Sequence, residues 1–265
     1  MNPIEWNVNP VIFEIGNLSV RWYGLFFAIG FAFGIFLLQK MFAHEGIKKD
    51  WVDKVFIYVV IGTIIGARLG HVIFYDLSYY LENPGEIIKV WHGGLASHGA
   101  VVAIILSLWI FSKRVSKKSV LWILDRAAPA VAFAGCLIRL GNLMNHEIIG
   151  TASNLPWAFV FTRVDDIPRH PAQLYEALAY LSIFGILMYF YWKTNKKDEA
   201  GFLFGSFLTL IFFSRFLIEF IKEDQAAFEA GMSLNMGQWL SIPLVIIGLF
   251  FMLRKKLLKQ KVQEP

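Results

Sequence analysis

Residues 120–150 read VLWILDRAAPAVAFAGCLIRLGNLMNHEIIG, an apolar run that ends in a group of polar side chains. The apolar part, residues 120–142, has the length that a helix needs to cross a hydrocarbon core of about 30 Å. The polar part contains Arg139, Asn142, Asn145 and Glu147 within a few positions. The stretch therefore predicts a transmembrane helix with a polar site at one end.

The composition of the whole chain agrees with this interpretation. Apolar residues make up 57% of the 265 residues and charged residues only 17%, whereas a soluble domain has about half apolar and about a quarter charged residues. We therefore expect an all-α integral membrane protein, with residues 1–265 forming a single polytopic domain and with no signal peptide to be cleaved. The predicted spans are residues 20–42, 54–75, 94–112, 120–142, 173–192, 200–221 and 238–253.

Basic residues are concentrated in alternate connections between these seven spans. Lysine and arginine are frequent after the first, third, fifth and seventh spans and rare in the other connections. The positive-inside rule then places the C-terminus in the cytoplasm and the N-terminus outside. The longer outside segments, residues 143–172 and 222–237 above all, are expected to form a small extracytoplasmic cap, and residues 1–19 an interfacial arm.

Ionisable residues at membrane depth are costly, and they commonly mark functional sites. Arg68, Arg139 and Arg215 lie in the outward halves of three predicted spans, and Tyr23 and His98 begin two others on the same side. An inter-helix hydrogen bond that stabilises the bundle would explain any one of them, but their common depth favours a shared site. Arginine is suited to bidentate capture of phosphate. Since three arginines would repel one another, we expect a phospholipid headgroup to supply the anion between them.

Helical spacing groups these residues further. Arg139, Asn142 and Asn145 recur every three residues, and Arg215 and Glu219 are four apart, so each set shares one helix face.

A third stripe is formed by Arg68, His71 and Tyr75, and glycines at spacing four in the same span, residues 62–70, indicate close helix packing. The stretch WHGGLASHGA, residues 91–100, predicts a turn or broken helix that presents His98, the histidine best placed to act as a base. No metal site is predicted, because the run HEIIG lacks the second histidine of a zinc-protease helix.

These residues together resemble the prolipoprotein diacylglyceryl transferase family. The family signature is similar to the run from Arg139 to Gly150, with Asn142, Asn145 and Glu147 at matching places. Further similar stretches follow in family order: RWYGL (21–25), GARLGHVIFYD (66–76), HGGLASHG (92–99), RHPAQLYE (169–176), SRFLIEF (214–220) and MGQWLSIP (236–243).

The chain departs from the family pattern at three positions. Ile138 replaces the first glycine of the signature, and Leu143 its usual aromatic residue; both changes are expected to affect packing only. Ile211 stands where many members have a tyrosine, which puts in doubt an indispensable role for that hydroxyl in this chain.

The resemblance implies a bacterial inner-membrane enzyme. It would transfer the sn-1,2-diacylglyceryl group of phosphatidylglycerol to the lipobox cysteine of a preprolipoprotein signal peptide, forming a thioether and releasing sn-glycerol 1-phosphate. The expected partners are this lipid, the signal peptide and the membrane, with no nucleic acid, no metal and no cofactor. The residues implied as catalytic are His98, Arg139 and Arg215. Those implied in binding phosphatidylglycerol are Arg139, Tyr23, Arg68, Asn142, Asn145, Glu147, Gly150 and Glu219.

Other functions agree less well with the sequence. A transporter would need a polar path across both halves of the membrane, but the inward half contains few buried charges besides Asp125 and Arg126. A lipid-recruiting scaffold would need the arginines but not a histidine beside them, and no residue set typical of an intramembrane protease is present. The remaining alternative is another enzyme that modifies phospholipid headgroups, although the spaced aspartates of metal-dependent alcohol phosphotransferases are missing.

Overall fold

The computed structural model describes residues 3–16, 18–48, 50–224, 229 and 231–263. Among these residues seven helices are long and apolar enough to cross a membrane, which confirms the seven predicted spans to within a few residues at each end. The α-helices of the described chain are α1 Trp22–His44, α2 Asp50–Phe74, α3 Leu77–Glu82, α4 Ser97–Phe111, α5 Val120–Met144, α6 Ala172–Lys193, α7 Phe202–Ile218 and α8 Met236–Gln263. The short helix α3 is the one that does not span.

The described residues also form five short strands, which lie between or before the helices: β1 Ile4–Trp6, β2 Val11–Ile15, β3 Leu18–Arg21, β4 Phe159–Phe161 and β5 Pro168–Arg169. Strand β1 runs parallel to β4, which pairs antiparallel with β5, while β2 and β3 form an antiparallel hairpin. The predicted arm and the predicted cap segment 143–172 therefore share one sheet. Residues 1, 2 and 17 of the arm, and 225–228 and 230 of the other cap segment, lie outside the described residues.

This sheet holds the polar end of α5. The Trp6 ring stacks on Phe159 with centroids 5.3 Å apart, and its indole Nε1 donates a hydrogen bond of 3.0 Å to the Leu143 carbonyl. Leu143 is buried against Phe159 and Phe161, so the leucine that replaces the family's aromatic residue serves packing here. The last turn of α5 is thus fixed against the sheet.

The chain divides into two compact units, Met1–Leu37 with Leu124–Pro265, and Leu38–Ile123. In the first unit a cluster of phenylalanines joins α1, α5 and α6, with the Phe33 and Phe133 ring centroids 4.2 Å apart. Asp125 of α5 is fully buried and caps α7, because its carboxylate accepts hydrogen bonds from the backbone N–H groups of Gly201 and Phe204 at 2.7 and 2.9 Å. Asp125 therefore has a structural role.

In the unit Leu38–Ile123, α2 and α4 pack closely along the predicted glycine stripe. A Cβ atom on Gly66 would overlap Ala103 and the Gly99 carbonyl, and one on Gly70 would lie 2.8 Å from the Gly99 Cα. Side chains at these positions would force the helices apart, which confirms the interpretation of the glycines as packing residues.

Candidate active site

The end of α5 brings together the polar residues that the three-residue spacing predicts. Arg139 donates a hydrogen bond from Nη1 to Asn142 Oδ1 at 3.1 Å. The Asn142 and Asn145 amides both donate to Glu147 Oε1, at 2.7 and 3.3 Å. An arginine, two amides and a carboxylate are therefore connected in one chain of hydrogen bonds.

The backbone around Glu147 is held in an unusual conformation. Its neighbours His146 and Ile148 have φ of +56° and +59°, in the left-handed region that β-branched residues rarely adopt. Gln173 of α6 is fully buried and donates a hydrogen bond of 2.6 Å to the Glu147 carbonyl. Strain of this kind persists where the surrounding structure fixes it and is common at functional sites, so the position of Glu147 is strongly determined.

Two glycines of the family signature allow close approach of other segments. A Cβ atom on Gly141 would lie 2.8 Å from Cδ2 of Tyr23, so the tyrosine at the start of α1 packs directly on α5. A Cβ atom on Gly150 would lie 2.5 Å from the His170 carbonyl oxygen and 2.7 Å from that of Ile221. Gly150 thus lets the segments after α5 and α7 meet. Direct contact of Gly150 with a lipid stays a prediction.

Five ionisable residues from α5, α6, α7 and the segment directly after α7 form a continuous set of ion pairs, which we call the charge cluster. Arg139 Nε lies 2.9 Å from Glu176 Oε2, without the alignment of a hydrogen bond. Lys222 Nζ donates to Glu176 Oε1 at 2.9 Å and to Glu219 Oε2 at 3.0 Å. Arg215 Nε lies 3.8 Å from the same Glu219 oxygen. The predicted Arg215–Glu219 pair is therefore present, but loose.

Exposure within the charge cluster is uneven. The side chains of Glu176, Glu219 and Lys222 are at most 3% exposed, whereas those of Arg139 and Arg215 are 14% and 33% exposed. The arginines thus form the accessible side, with the carboxylates behind them. This corrects the expectation that a lipid headgroup must neutralise the arginines, because Glu176 and Glu219 already supply anions.

Sequence reasoning missed three members of this region. Glu176 and Gln173 lie three residues apart on α6, where their shared helix face was the available signal. Lys222 lies in one of the outside connections, where basic residues are rare. Its place three residues after Glu219 was the only local indication of a role.

The position of the missing family tyrosine is apolar in the structure. Ile211 is buried in α7. The buried Tyr180 of α6 lies beside Arg139 and hydrogen-bonds to it. A phenol hydroxyl is therefore supplied to Arg139 from α6.

Arg68, in the unit Leu38–Ile123, has quite different partners. It is 4% exposed, and its guanidinium donates four hydrogen bonds, 2.5 to 3.2 Å long, to backbone carbonyls of the loop 86–94. Its Cζ atom also lies 5.0 Å from the centroid of the Tyr80 ring. Arg68 therefore holds a loop in place, and its predicted contact with phosphatidylglycerol remains untested.

His98 lies in the same unit, in the first turn of α4. A 3-10 turn Val90–His92 and two glycines with positive φ, Gly93 at +85° and Gly94 at +69°, precede it, so the predicted turn is present. The exposed His98 ring contacts Phe74 edge to face, with centroids 5.2 Å apart, and lies 5.8 Å from the Tyr75 ring. The imidazole is thus accessible to a substrate.

A third arginine environment occurs in the cap segment. Arg169 donates hydrogen bonds to both carboxylate oxygens of Asp165 and to Glu223. The hydrogen bonds from Arg169 lower the pKa of Asp165, and the same bonds raise the pKa of Arg169. This partly exposed pairing joins β5 to the segment after α7.

Comparison with known proteins gives consistent results over nearly the whole chain. The sequence profile of the family described as prolipoprotein diacylglyceryl transferase matches residues 10–254. Three relatives bear the name phosphatidylglycerol–prolipoprotein diacylglyceryl transferase. The protein of Chloroherpeton thalassium is 51% identical over 246 residues, 92% of this chain and 91% of its own. That of Tolumonas auensis is 47% identical over 248 residues, 94% and 96% of the two chains. That of Vibrio cholerae is 36% identical over 251 residues, 93% and 91%.

The matched region includes every residue discussed above from Tyr23 to Lys222. This match agrees with the family resemblance seen in the sequence. The chain belongs to the prolipoprotein diacylglyceryl transferase family.

Proposed function

We propose that the protein transfers the sn-1,2-diacylglyceryl group from phosphatidylglycerol to the lipobox cysteine of a preprolipoprotein. The observation that supports this most directly is the charge cluster, in which two partly exposed arginines are backed by buried carboxylates. Such preorganised cations suit a reaction in which negative charge grows on a leaving phosphate. The names of the relatives agree with both substrates.

The reaction is a displacement at carbon. The cysteine sulfur forms a bond to the terminal glycerol carbon of the diacylglyceryl group, and the bond from that carbon to the phosphate oxygen breaks. The electron pair stays on the oxygen, so sn-glycerol 1-phosphate leaves and a thioether remains. The thiol proton goes to the imidazole of His98, because histidine is the side chain that most often acts as a general base.

The other site residues are assigned to the lipid headgroup. Arg139 and Arg215 bind the phosphate and neutralise the leaving group. Asn142, Asn145 and Glu147 form a polar edge beside Arg139, where the headgroup glycerol can hydrogen-bond. Asn145 Oδ1 is buried and has no hydrogen-bond partner among the described residues, so it is available as an acceptor. Tyr23 and Arg68 are also assigned to binding of phosphatidylglycerol. Arg68 contributes to the site by holding the loop 86–94 in place.

We place the protein in the bacterial inner membrane, with this site toward the outer leaflet. The connections after α1, α4, α6 and α8 then face the cytoplasm. Cysteine labelling at two positions tests the orientation: a cysteine at Ser153 should react with an impermeant reagent from outside, and one at Lys196 only after the membrane is opened. The reverse pattern would overturn the outer-leaflet site.

The activity itself is tested with purified full-length protein in mixed micelles. Phosphatidylglycerol labelled in its acyl chains and a lipobox peptide should yield a diacylglyceryl thioether and glycerol phosphate, without added nucleotide. A matched peptide with serine in place of the cysteine should accept nothing, because it lacks the thiol. If the headgroup were changed while the peptide stayed unmodified, the protein would instead be another phospholipid-modifying enzyme.

A further inference from the structure

Lys222 is a buried cation to which the mechanism above gives no role. Its side chain is 2% exposed, and its ammonium group contacts Glu176 and Glu219 at 2.9 and 3.0 Å. Its backbone pairs with Gly150 of the family signature. A buried ammonium group is costly unless it is paired, and here two carboxylates pair with it.

The charge cluster holds three cations and two anions, so its formal net charge is +1. The excess charge is not distributed evenly. Lys222 makes the closer contact with Glu219, 3.0 Å against 3.8 Å for Arg215. It also engages the Glu176 oxygen that Arg139 does not use. The lysine therefore weakens the neutralisation of both arginines by their carboxylates.

A second feature keeps Glu219 in place behind Arg215. A Cβ atom on Gly237, in the first turn of α8, would lie 2.5 Å from the Glu219 carboxyl carbon. The glycine thus allows the N-terminus of α8, the positive end of the helix dipole, to approach this carboxylate. Lys222 thus contacts both carboxylates and the N-terminus of α8 contacts Glu219, while Arg139 and Arg215 remain the partly exposed members of the cluster.

We propose that Lys222 is a positioning residue of the anion site. By engaging Glu176 and Glu219 it leaves Arg139 and Arg215 with one positive charge in excess, which matches the single negative charge of a phosphodiester headgroup. The assignment rests on the proposed function for the identity of the lipid, but its physical content is the affinity of the cluster for a monoanionic phosphodiester. Lys222 acts through the arginines and does not touch the reacting atoms.

The test measures binding and transfer separately in the full-length protein. Binding of short-chain phosphatidylglycerol is measured by calorimetry in detergent, with short-chain phosphatidylcholine as the zwitterionic comparison. Lys222→Met keeps the length of the side chain and removes its charge, so the Kd for phosphatidylglycerol should rise about tenfold or more. Lys54→Met is the matched control, because Lys54 forms an exposed pair with Asp50 at 2.7 Å, outside the cluster.

A double variant separates charge balance from simple loss of a contact. Lys222→Met with Glu219→Gln removes one cation and one anion, so the cluster returns to a net charge of +1. Its affinity for phosphatidylglycerol and its half-saturating lipid concentration in the transfer assay should recover toward wild type. A lysine that serves only to hold the fold would change the melting temperatures of these variants, but not the affinity of their folded fraction for phosphatidylglycerol. Glu219→Gln alone, with a net charge of +2, should bind the anionic lipid at least as tightly as wild type.

Unchanged affinity in Lys222→Met would overturn the proposal, as would a double variant no better than the single one. If Lys222→Met does not fold, weaker binding by Glu219→Gln than by wild type would overturn it equally. A failure of the proposed function would give another result, because the wild-type protein would then bind phosphatidylglycerol but leave the lipobox peptide unmodified.

Discussion

Two regions of the molecule place arginines near the ends of membrane-length helices and use them in opposite ways. In the loop region around Arg68, the residue is 4% exposed and its guanidinium donates to backbone carbonyls of residues 86–94. In the charge cluster, Arg139 and Arg215 pair with carboxylates and remain partly exposed. Arg68 thus holds a loop in place through its backbone carbonyls, whereas Arg139 and Arg215 keep positive charge accessible.

The partners of each arginine therefore decide what else it can bind. Carbonyl dipoles occupy the N–H donors of Arg68 and leave little capacity for an external anion. Carboxylates behind Arg139 and Arg215 orient these side chains without covering them. The arginines of the charge cluster are therefore suited to a substrate phosphate, and Arg68 to holding the loop that leads to His98.

The largest effect is expected at His98, the residue of the loop region with a proposed chemical role. His98→Gln keeps a hydrogen-bonding side chain but loses the base, so transfer should slow by about 10²–10⁴-fold. Raising the pH should partly rescue the variant, because a cysteine thiol of pKa about 8.5 then ionises unaided. Initial rates against pH, together with a melting curve, measure both effects.

His92→Gln is the matched control, since His92 lies in the loop 86–94 that precedes His98 and contacts Glu86. It should transfer at nearly the wild-type rate. If His98→Gln lost transfer activity equally at every pH and had a lower melting temperature, His98 would be a structural residue.

In the charge cluster, Arg139→Ala should lower the transfer rate by roughly two to three decades, the usual cost of losing a contact that strengthens in the transition state. The protein should stay folded in detergent, because Lys222 still neutralises Glu176. Arg215→Ala should behave alike. Arg139→Lys should also be poor, since an ammonium lacks the bidentate geometry.

Arg163→Ala removes an exposed arginine of the cap segment and serves as the control. Near-normal turnover in either Arg139→Ala or Arg215→Ala would remove that arginine from the phosphate site.

Arg68→Met should lower the stability of the protein more than its transfer activity, the reverse of Arg139→Ala. Several backbone carbonyls lose a buried donor, each at a cost of about 1–3 kcal/mol when left unsatisfied. The melting temperature should therefore fall clearly and the loop 86–94 should become sensitive to protease, while transfer by the folded fraction drops less than in Arg139→Ala. An Arg68→Met protein as stable as wild type but inactive would erase the contrast between the two regions.

Much of this architecture was predictable from local sequence. The seven spans follow from apolar length alone, because a helix in a membrane must satisfy its backbone internally and expose apolar side chains. The association of Arg139, Asn142 and Asn145 follows from helical spacing. The turn before His98 follows from Gly93 and Gly94, since glycine adopts positive φ without strain.

The partners of the arginines were not predictable in the same way. Glu176 lies on a different helix from Arg139, and only tertiary packing brings them together. The burial of Lys222 could not be predicted, because nothing in the local sequence distinguishes it from an exposed lysine in a loop. Likewise, the pairing of β1 with β4 joins residues far apart in the chain, and three-residue strands carry too little periodicity to predict it.

The smallest expected effect concerns Arg169, whose pairing with Asp165 is a partly exposed version of the ion pairs in the charge cluster. Hydrogen bonds from Arg169 lower the pKa of Asp165 in the folded protein, relative to about 3.9 in the unfolded chain. The stability from this pair is therefore present above about pH 4 and is lost as the pH falls through the lowered folded value. Because Asp165 is 27% exposed and screened by solvent, Asp165→Asn should cost less than about 1 kcal/mol at pH 7.

The measurement is the melting temperature in detergent between pH 7 and pH 3, at low and high salt, for wild type and Asp165→Asn. The difference between the two proteins should shrink as the pH falls below about 4, and it should be smaller in high salt because the pair is exposed to ions. Asp166→Asn, at the neighbouring position, serves as the control and should follow wild type across the range. A difference that persisted unchanged at pH 3 would mean that Asp165 stabilises the cap through packing or neutral hydrogen bonds. The contact between Arg169 and Asp165 would then not depend on charge, unlike the ion pairs of the charge cluster.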